Sequence, residues 1–367
     1  MPADEIDPRA LNRATLARQM LLRRESVSAV DAIERLGGMQ AQDPAPPFVG
    51  LWTRLERFDP DELRRALADA EVVRATLLRG TLHLFSRRDY LRYRATLQSM
   101  LLAAASSNLR GQLDGLDVDA TLAVTRELLE EGPRTQSELR ALLHERFPEA
   151  NDRALGLIAR CGAPMVMRPV DHPWSFPRDS AFVLASQMLG AEPDAEERPE
   201  ELIRRCLAAF GPASATDVRT WCGLPGIAEA LEAMRDELVI FRLGRRELFD
   251  LPDAPRPGPD AEAPVRYLPE FDNLLLSHAD RTRVIADEHR PFVFSKNLRV
   301  KATFLVDGRV AGTWSVKRSR KVATLTMVPF GKLAKGTLRE LVREGEPLAR
   351  LAEPAADDAD VVVGETP

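Results

Sequence analysis

Apolar residues recur at helical spacing through Leu122–Leu129 and again through Leu202–Phe210, and each stretch stops at a Gly-Pro pair. The segments that follow match position by position: Gly132-Pro133-Arg134-Thr135-Gln136-Ser137-Glu138-Leu139 and Gly211-Pro212-Ala213-Ser214-Ala215-Thr216-Asp217-Val218. Both predict a helix stop and then a new N-cap, at Thr135 or Ser214, with a carboxylate three residues on, which is the capping-box arrangement. A degenerate third copy lies near the N-terminus. There the helical stretch Leu16–Leu22 leads to Ser26-Val27-Ser28-Ala29-Val30 in the same register, without Gly-Pro or the acid.

After each helical pair the period changes from helical to alternating. Leu238–Arg242 and Glu247–Phe249 flank Leu243-Gly244-Arg245-Arg246 with its turn at Gly244; Met165–Met167 and Ala181–Leu184 flank an irregular loop; Val72–Leu77 and Thr81–Phe85 flank Arg79-Gly80. Helices followed by a β-hairpin make the winged-helix pattern, here used three times. Beyond the proline-rich break Pro252–Pro259 the chain becomes strand-like at Val265–Leu268, Ala302–Val306, Arg309–Val316 and Ala323–Val328, with Asp307-Gly308 as a hairpin turn, before a last helix Lys335–Leu351. The fold class expected is α+β: winged-helix domains at residues 8–112, 116–190 and 199–251, a small β-barrel-like domain at 264–351, and a disordered acidic tail at 352–367.

Composition narrows the function classes. A net charge of −5 excludes a protein basic all over, so any polyanion must meet local patches. Two suggest themselves: the arginines from Arg74 to Arg94, with Arg79 and Arg87 among them, and Lys317-Arg318 with Arg320-Lys321. Each reads as a phosphate-facing patch or as a solvated face. The three cysteines and five histidines are scattered, without metal-ligand or disulfide spacing, so no metal and no cofactor is predicted. No apolar run is long enough to span a membrane and the N-terminus lacks signal-peptide character, so a cytoplasmic protein is expected.

Gly37-Gly38-Met39-Gln40-Ala41-Gln42-Asp43-Pro44 places two amides and a carboxylate in a turn full of helix breakers. In an extended backbone Gln40 and Gln42 point to one side and could hold a water between them; they could equally satisfy loose backbone groups at a helix end. Asp43 reads as the cap of the turn that follows. His83, alternating with Leu82 and Leu84, is expected on the outer face beside Arg79, able to meet a phosphate or base edge or simply to face solvent. Ser277-His278-Ala279-Asp280 holds the residue types of a hydrolase triad, but sequence neighbours cannot adopt triad geometry with one another. Hydrolase elbows, Walker loops and dinucleotide fingerprints are lacking.

Four segments in order, Leu36–Asp43, Leu78–His83, Leu268–Arg281 and Val306–Trp314, resemble the bacterial tandem winged-helix DNA glycosylases of the AlkZ/YcaQ superfamily over nearly the whole chain. Gln40-Ala41-Gln42 matches the Gln-aliphatic-Gln catalytic motif of the AlkZ type rather than the Gln-x-Asp of the YcaQ type. The resemblance implies excision of bulky N7-alkylguanines from double-stranded DNA, interstrand crosslinks included, with Gln40 and Gln42 catalytic. It implies an open cleft, and phosphate contacts from Arg79, His83, Arg87, Lys317 and Arg318 that weaken with salt. A monomer without membrane association is expected. The rival readings are a winged-helix transcriptional regulator without catalytic activity and a protein-interaction module.

Overall fold

The computed structural model describes residues 4–109, 111–113, 116–295 and 299–366. Helices and hairpins alternate three times. Helices Pro8–Arg18, Ala29–Arg35, Pro46–Trp52 and Pro60–Ala68 precede the antiparallel pair Val72–Thr76 and Leu82–Ser86. After the long helix Arg87–Asn108, helices Val118–Glu130, Gln136–Arg146 and Asp152–Gly162 precede Met165–Met167 paired with Phe182–Leu184. Helices Pro199–Phe210, Ala215–Cys222 and Ile227–Ala233 then precede Val239–Leu243 paired with Arg246–Asp250.

Both predicted capping boxes form. Glu138 N donates to Thr135 Oγ1 at 3.2 Å and Thr135 N to Glu138 Oε2 at 2.7 Å; Ser214 and Asp217 repeat the exchange at 3.2 and 3.0 Å. The N-terminal copy departs from the expected register. Its helix ends at Arg18 rather than Leu22, because Met20 turns left-handed at φ 55°. The next cap is Ser28, and the acid that seemed missing is Asp31, three residues on.

The C-terminal region is an open five-stranded sheet, not a barrel: Asp358–Val363, Val322–Pro329, Arg309–Ser319, Thr303–Val306 and Arg266–Leu268 lie in that order, and the two outer strands do not pair. Both residues of the turn between Thr303–Val306 and Arg309–Ser319 have positive φ, 48° at Asp307 and 75° at Gly308, as a two-residue hairpin turn requires. The acidic tail, expected to be disordered, supplies the edge strand Asp358–Val363, parallel to Val322–Pro329. Ladder hydrogen bonds and the covering helix Lys335–Ala352, whose Leu341 and Leu348 pack on Leu325 and Met327, outweigh its acidic composition. The last residue of that tail, Pro367, lies outside the described residues.

The first hairpin gains a third strand. Met39–Gln40 pairs with Leu82–Ser86, placing Gln40 opposite His83. A strand flanked by two others and covered by helices is buried on both faces, so the alternation of Leu82, His83 and Leu84 does not separate inside from outside. His83 is therefore fully buried, not outward as expected.

Candidate active site

The helix before the Gln-x-Gln segment stops because Gly37 and Gly38 take φ of +66° and +86°, a backbone open at low cost only to glycine. The chain then extends through Met39 and Gln40. Gln40 is 9% exposed and lines a cleft of about 780 Å³ with Arg79, Phe271, Arg281, Arg290 and Arg299. Gln42 is exposed and does not line the cleft; its Oε1 lies 3.4 Å from Leu82 N. Ala41 between them is buried, with its N–H on Leu82 O at 2.7 Å.

Three arginines fix this segment. Arg74, fully within the first hairpin and stacked on Phe176, donates to Ala41 O at 2.9 Å and Gln42 O at 3.0 Å. Arg54 holds Asp272 in a buried bidentate pair, both contacts 2.9 Å, and also donates to Gln19 O and Gly50 O. Next to that pair, Asn273 Nδ2 donates to Gly38 O at 3.1 Å, so the Leu268–Arg281 segment clamps the turn that carries Gln40. Arg79 donates through Nη2 to Gln40 Oε1 at 2.8 Å and through Nη1 to Trp221 O at 2.7 Å. Burial draws its pKa down to about 10, leaving it charged at neutral pH.

His83 Nδ1 lies 3.0 Å from Thr81 O, a pure acceptor, so Nδ1 carries the proton and Nε2 presents its lone pair to Arg79 Nη2 at 3.4 Å. Burial, reinforced by the Arg79 charge, pulls the His83 pKa from 6.5 to about 3. His278, donating Nε2–H to Phe210 O at 3.0 Å, is pulled to about 3 chiefly by burial. These lowered values predict acid sensitivity. Below about pH 6.5 the unfolded chain takes up protons that the folded chain refuses, and at pH 5 each histidine withdraws about 2 kcal/mol of stability. Asp89, raised by burial to about 6, holds its proton in the folded state and so offsets only one of them. The melting temperature should fall from pH 7 to pH 5; a flat or rising profile would contradict these environments.

Of the arginines from Arg74 to Arg94, Arg74 and Arg94 are buried and Arg79 is half-buried, while Arg87, Arg88 and Arg92 are exposed. Arg94 caps the helix Asp152–Gly162 through the carbonyls of Cys161, Gly162 and Ala163, where its charge also suits the negative helix end. Arg88 pairs with Glu34 and Arg92 with Glu201. Only Arg87 of the expected DNA contacts there is exposed; Arg79 and His83 face one another and Gln40. Lys317 and Arg318 are exposed on the longest strand of the C-terminal sheet, far along the chain from Gln40, with Arg318 3.5 Å from Glu353. Asp43 does not cap the following helix; its carboxylate lies 3.5 Å from Arg299.

Sequence reading missed the cleft arginines. Arg281 stacks over Phe294 at 4.6 Å and Arg299 over Phe271 at 5.8 Å, and Arg290 completes the set. Only Arg281 lay within a segment already singled out. Phe271 and Arg79 on the cleft wall both hold positive φ, 59° and 57°, unusual for non-glycine residues. Among the described residues no group of three His, Cys, Asp or Glu side chains gathers to hold a metal, and no helix is long and apolar enough to cross a membrane.

Comparison with known proteins places this geometry. Residues 33–351 match the family described as DNA glycosylase AlkZ-like. An interstrand DNA cross-link repair glycosylase of Streptomyces sahachiroi is 27% identical, over 91% of this chain and 94% of that protein. The solved structure of Streptomyces sahachiroi DNA glycosylase AlkZ superposes with a TM-score of 0.78 at 24% identity, covering 98% of this chain and 100% of that one. A regulator without catalytic activity is not favoured by these matches. With the match running through both the Gln-x-Gln turn and the segment that clamps it, the chain belongs to the AlkZ-like DNA glycosylases.

Proposed function

We propose that this glycosylase hydrolyses the N-glycosidic bond of bulky N7-alkylguanines in duplex DNA, unhooking interstrand crosslinks, with Gln40 and Gln42 as its catalytic residues. The observation that carries the reading is Gln40 itself: an amide nine-tenths buried, its oxygen held by a guanidinium, on the wall of a cleft roomy enough for more than a methylated base. Ordinary glycoside hydrolysis uses one carboxyl group as acid and another as base or nucleophile. An N7-alkylated guanine is already cationic and departs neutral, so no acid is needed. What remains is to place a water against the anomeric carbon and to tolerate the developing sugar cation, a positioning task within reach of neutral amides.

In this reading the three helix-and-hairpin groups are winged-helix domains at 8–112, 116–190 and 199–251, and the sheet region 264–351 closes the far side of the cleft. DNA phosphates meet Arg87, Lys317 and Arg318 together with the cleft arginines Arg281, Arg290 and Arg299. The protein acts as a monomer in the cytoplasm, at the nucleoid. Family membership supports the chemistry, and the relative's printed activity supports the crosslink.

The test is release of 7-methylguanine and of a bulkier N7 adduct from duplex DNA, and separation of a crosslinked duplex, by wild type, Gln40→Ala, Gln42→Ala and the double variant. Wild type is expected to act on all three, and Gln40→Ala to lose about 10²-fold in rate, the scale of one lost transition-state contact. A double variant that binds DNA yet excises at the wild-type rate would sink the assignment.

A further inference from the structure

We propose that Arg79 is a positioning residue for Gln40, dictating which atom of the amide meets the attacking water. The inference rests on Gln40 being the hydrolytic residue. A water that attacks carbon must keep a lone pair free for it, so it must donate its O–H to the enzyme. It can do so to an amide oxygen but not to an amide NH2, which would instead occupy the lone pair. An unrestrained glutamine offers either end.

Arg79 removes that freedom. A guanidinium has only donors, so the group 2.8 Å from Nη2 must be the oxygen of Gln40. That oxygen has a second lone pair, and Gln40 stands on the cleft wall. Arg79 is itself held in place by Trp221 O at 2.7 Å and by the neutral His83 at 3.4 Å. Thr81 O, which accepts the hydrogen bond of His83 Nδ1–H at 3.0 Å, keeps Nε2 in the acceptor form that Arg79 requires. The left-handed backbone at Arg79, φ 57°, brings the guanidinium between two segments of chain that share no strand, the Gln40 turn and the end of helix Ala215–Cys222. The three hydrogen-bond partners of the guanidinium are all neutral, so its charge is spent on orientation rather than on a carboxylate.

The experiment is a double-mutant cycle read in two quantities: the single-turnover rate of 7-methylguanine excision, and affinity for the same duplex. Arg79→Ala is expected to slow excision about tenfold to hundredfold, the usual consequence of lost orientation, while DNA affinity stays at the wild-type value. In the Gln40→Ala background the same change should cost nothing more, because a residue acting through Gln40 has nothing left to position. Rate losses that multiply, or a matching drop in affinity, would make Arg79 an independent phosphate contact and overturn the inference. Should Arg79→Ala fold poorly, Arg79→Lys serves in the same cycle: it keeps the charge and any pull on phosphate, but lacks the planar fork whose two nitrogens reach Trp221 O and Gln40 Oε1 separately. Full rate in Arg79→Lys would overturn the proposal; slow excision with intact affinity supports it. The two readings fail separately. Gln40→Ala at the wild-type rate defeats the catalytic assignment, whereas slow Gln40→Ala beside fast Arg79→Ala defeats only the positioning role.

Discussion

Asp272→Ala should destabilise the protein by about 3–5 kcal/mol, because it strands the Arg54 guanidinium without its counter-ion. Both side chains are 2% exposed, and the pair is bidentate. Arg54 would keep its bonds to Gln19 O and Gly50 O, but two carbonyl dipoles do not replace a carboxylate in a dry site. The damage should reach the active site. Asp272 precedes Asn273, whose amide holds Gly38 O, and Gly38 lies two residues before Gln40. Thermal and urea unfolding would measure the loss. The double change Arg54→Met with Asp272→Leu should be less harmful than either single change, since removing both charges leaves no unpaired ion. A melting temperature for Asp272→Ala equal to the wild type would show that the pair is not the clamp described.

Gly38→Ala is the second large effect, expected to cost about 2–5 kcal/mol from a left-handed backbone closed to alanine and an overpacked core. The φ at Gly38 is +86°, and a Cβ there would lie 2.0 Å from Cε1 of the buried Phe85 ring. Either Phe85 or the turn must move, and the turn carries Gln40. The excision rate should therefore fall more than DNA affinity does. Gly226→Ala is the control: its φ is +71°, but nothing lies within 4 Å of the added carbon, so only the backbone term applies. If the two variants melted together, Phe85 would not be gripping the turn.

The local elements were legible because their causes are local. The capping boxes at Thr135 and Ser214, the glycine stop at Gly37-Gly38, the Asp307-Gly308 turn and the hairpins Val72–Thr76 with Leu82–Ser86 and Val239–Leu243 with Arg246–Asp250 follow from residues close to one another in the chain. Gln40 was legible as a candidate because two amides among helix breakers have little structural use, and its burial on the cleft wall is where such a group would act. What periodicity could not reveal was which faces other segments would cover. His83 reads as an outward residue until Met39–Gln40 pairs against its strand and helices close over it. Arg74 and Arg94 read as part of a phosphate patch until carbonyls far along the chain, at Ala41 and at Cys161–Ala163, turn out to be their acceptors. The tail reads as disordered from its acid content, yet Val322–Pro329 offers it an open edge.

Sequence alone thus determined the capping boxes, the hairpin strands, the turn that carries Gln40 and the resemblance that family matching bears out, since each depends on local pattern or on motif order. Only the tertiary structure decided what each polar side chain is for. A guanidinium bonds whatever acceptor the fold brings within 3 Å, and Arg79 meets Gln40 and Trp221 across 39 and 142 positions of sequence.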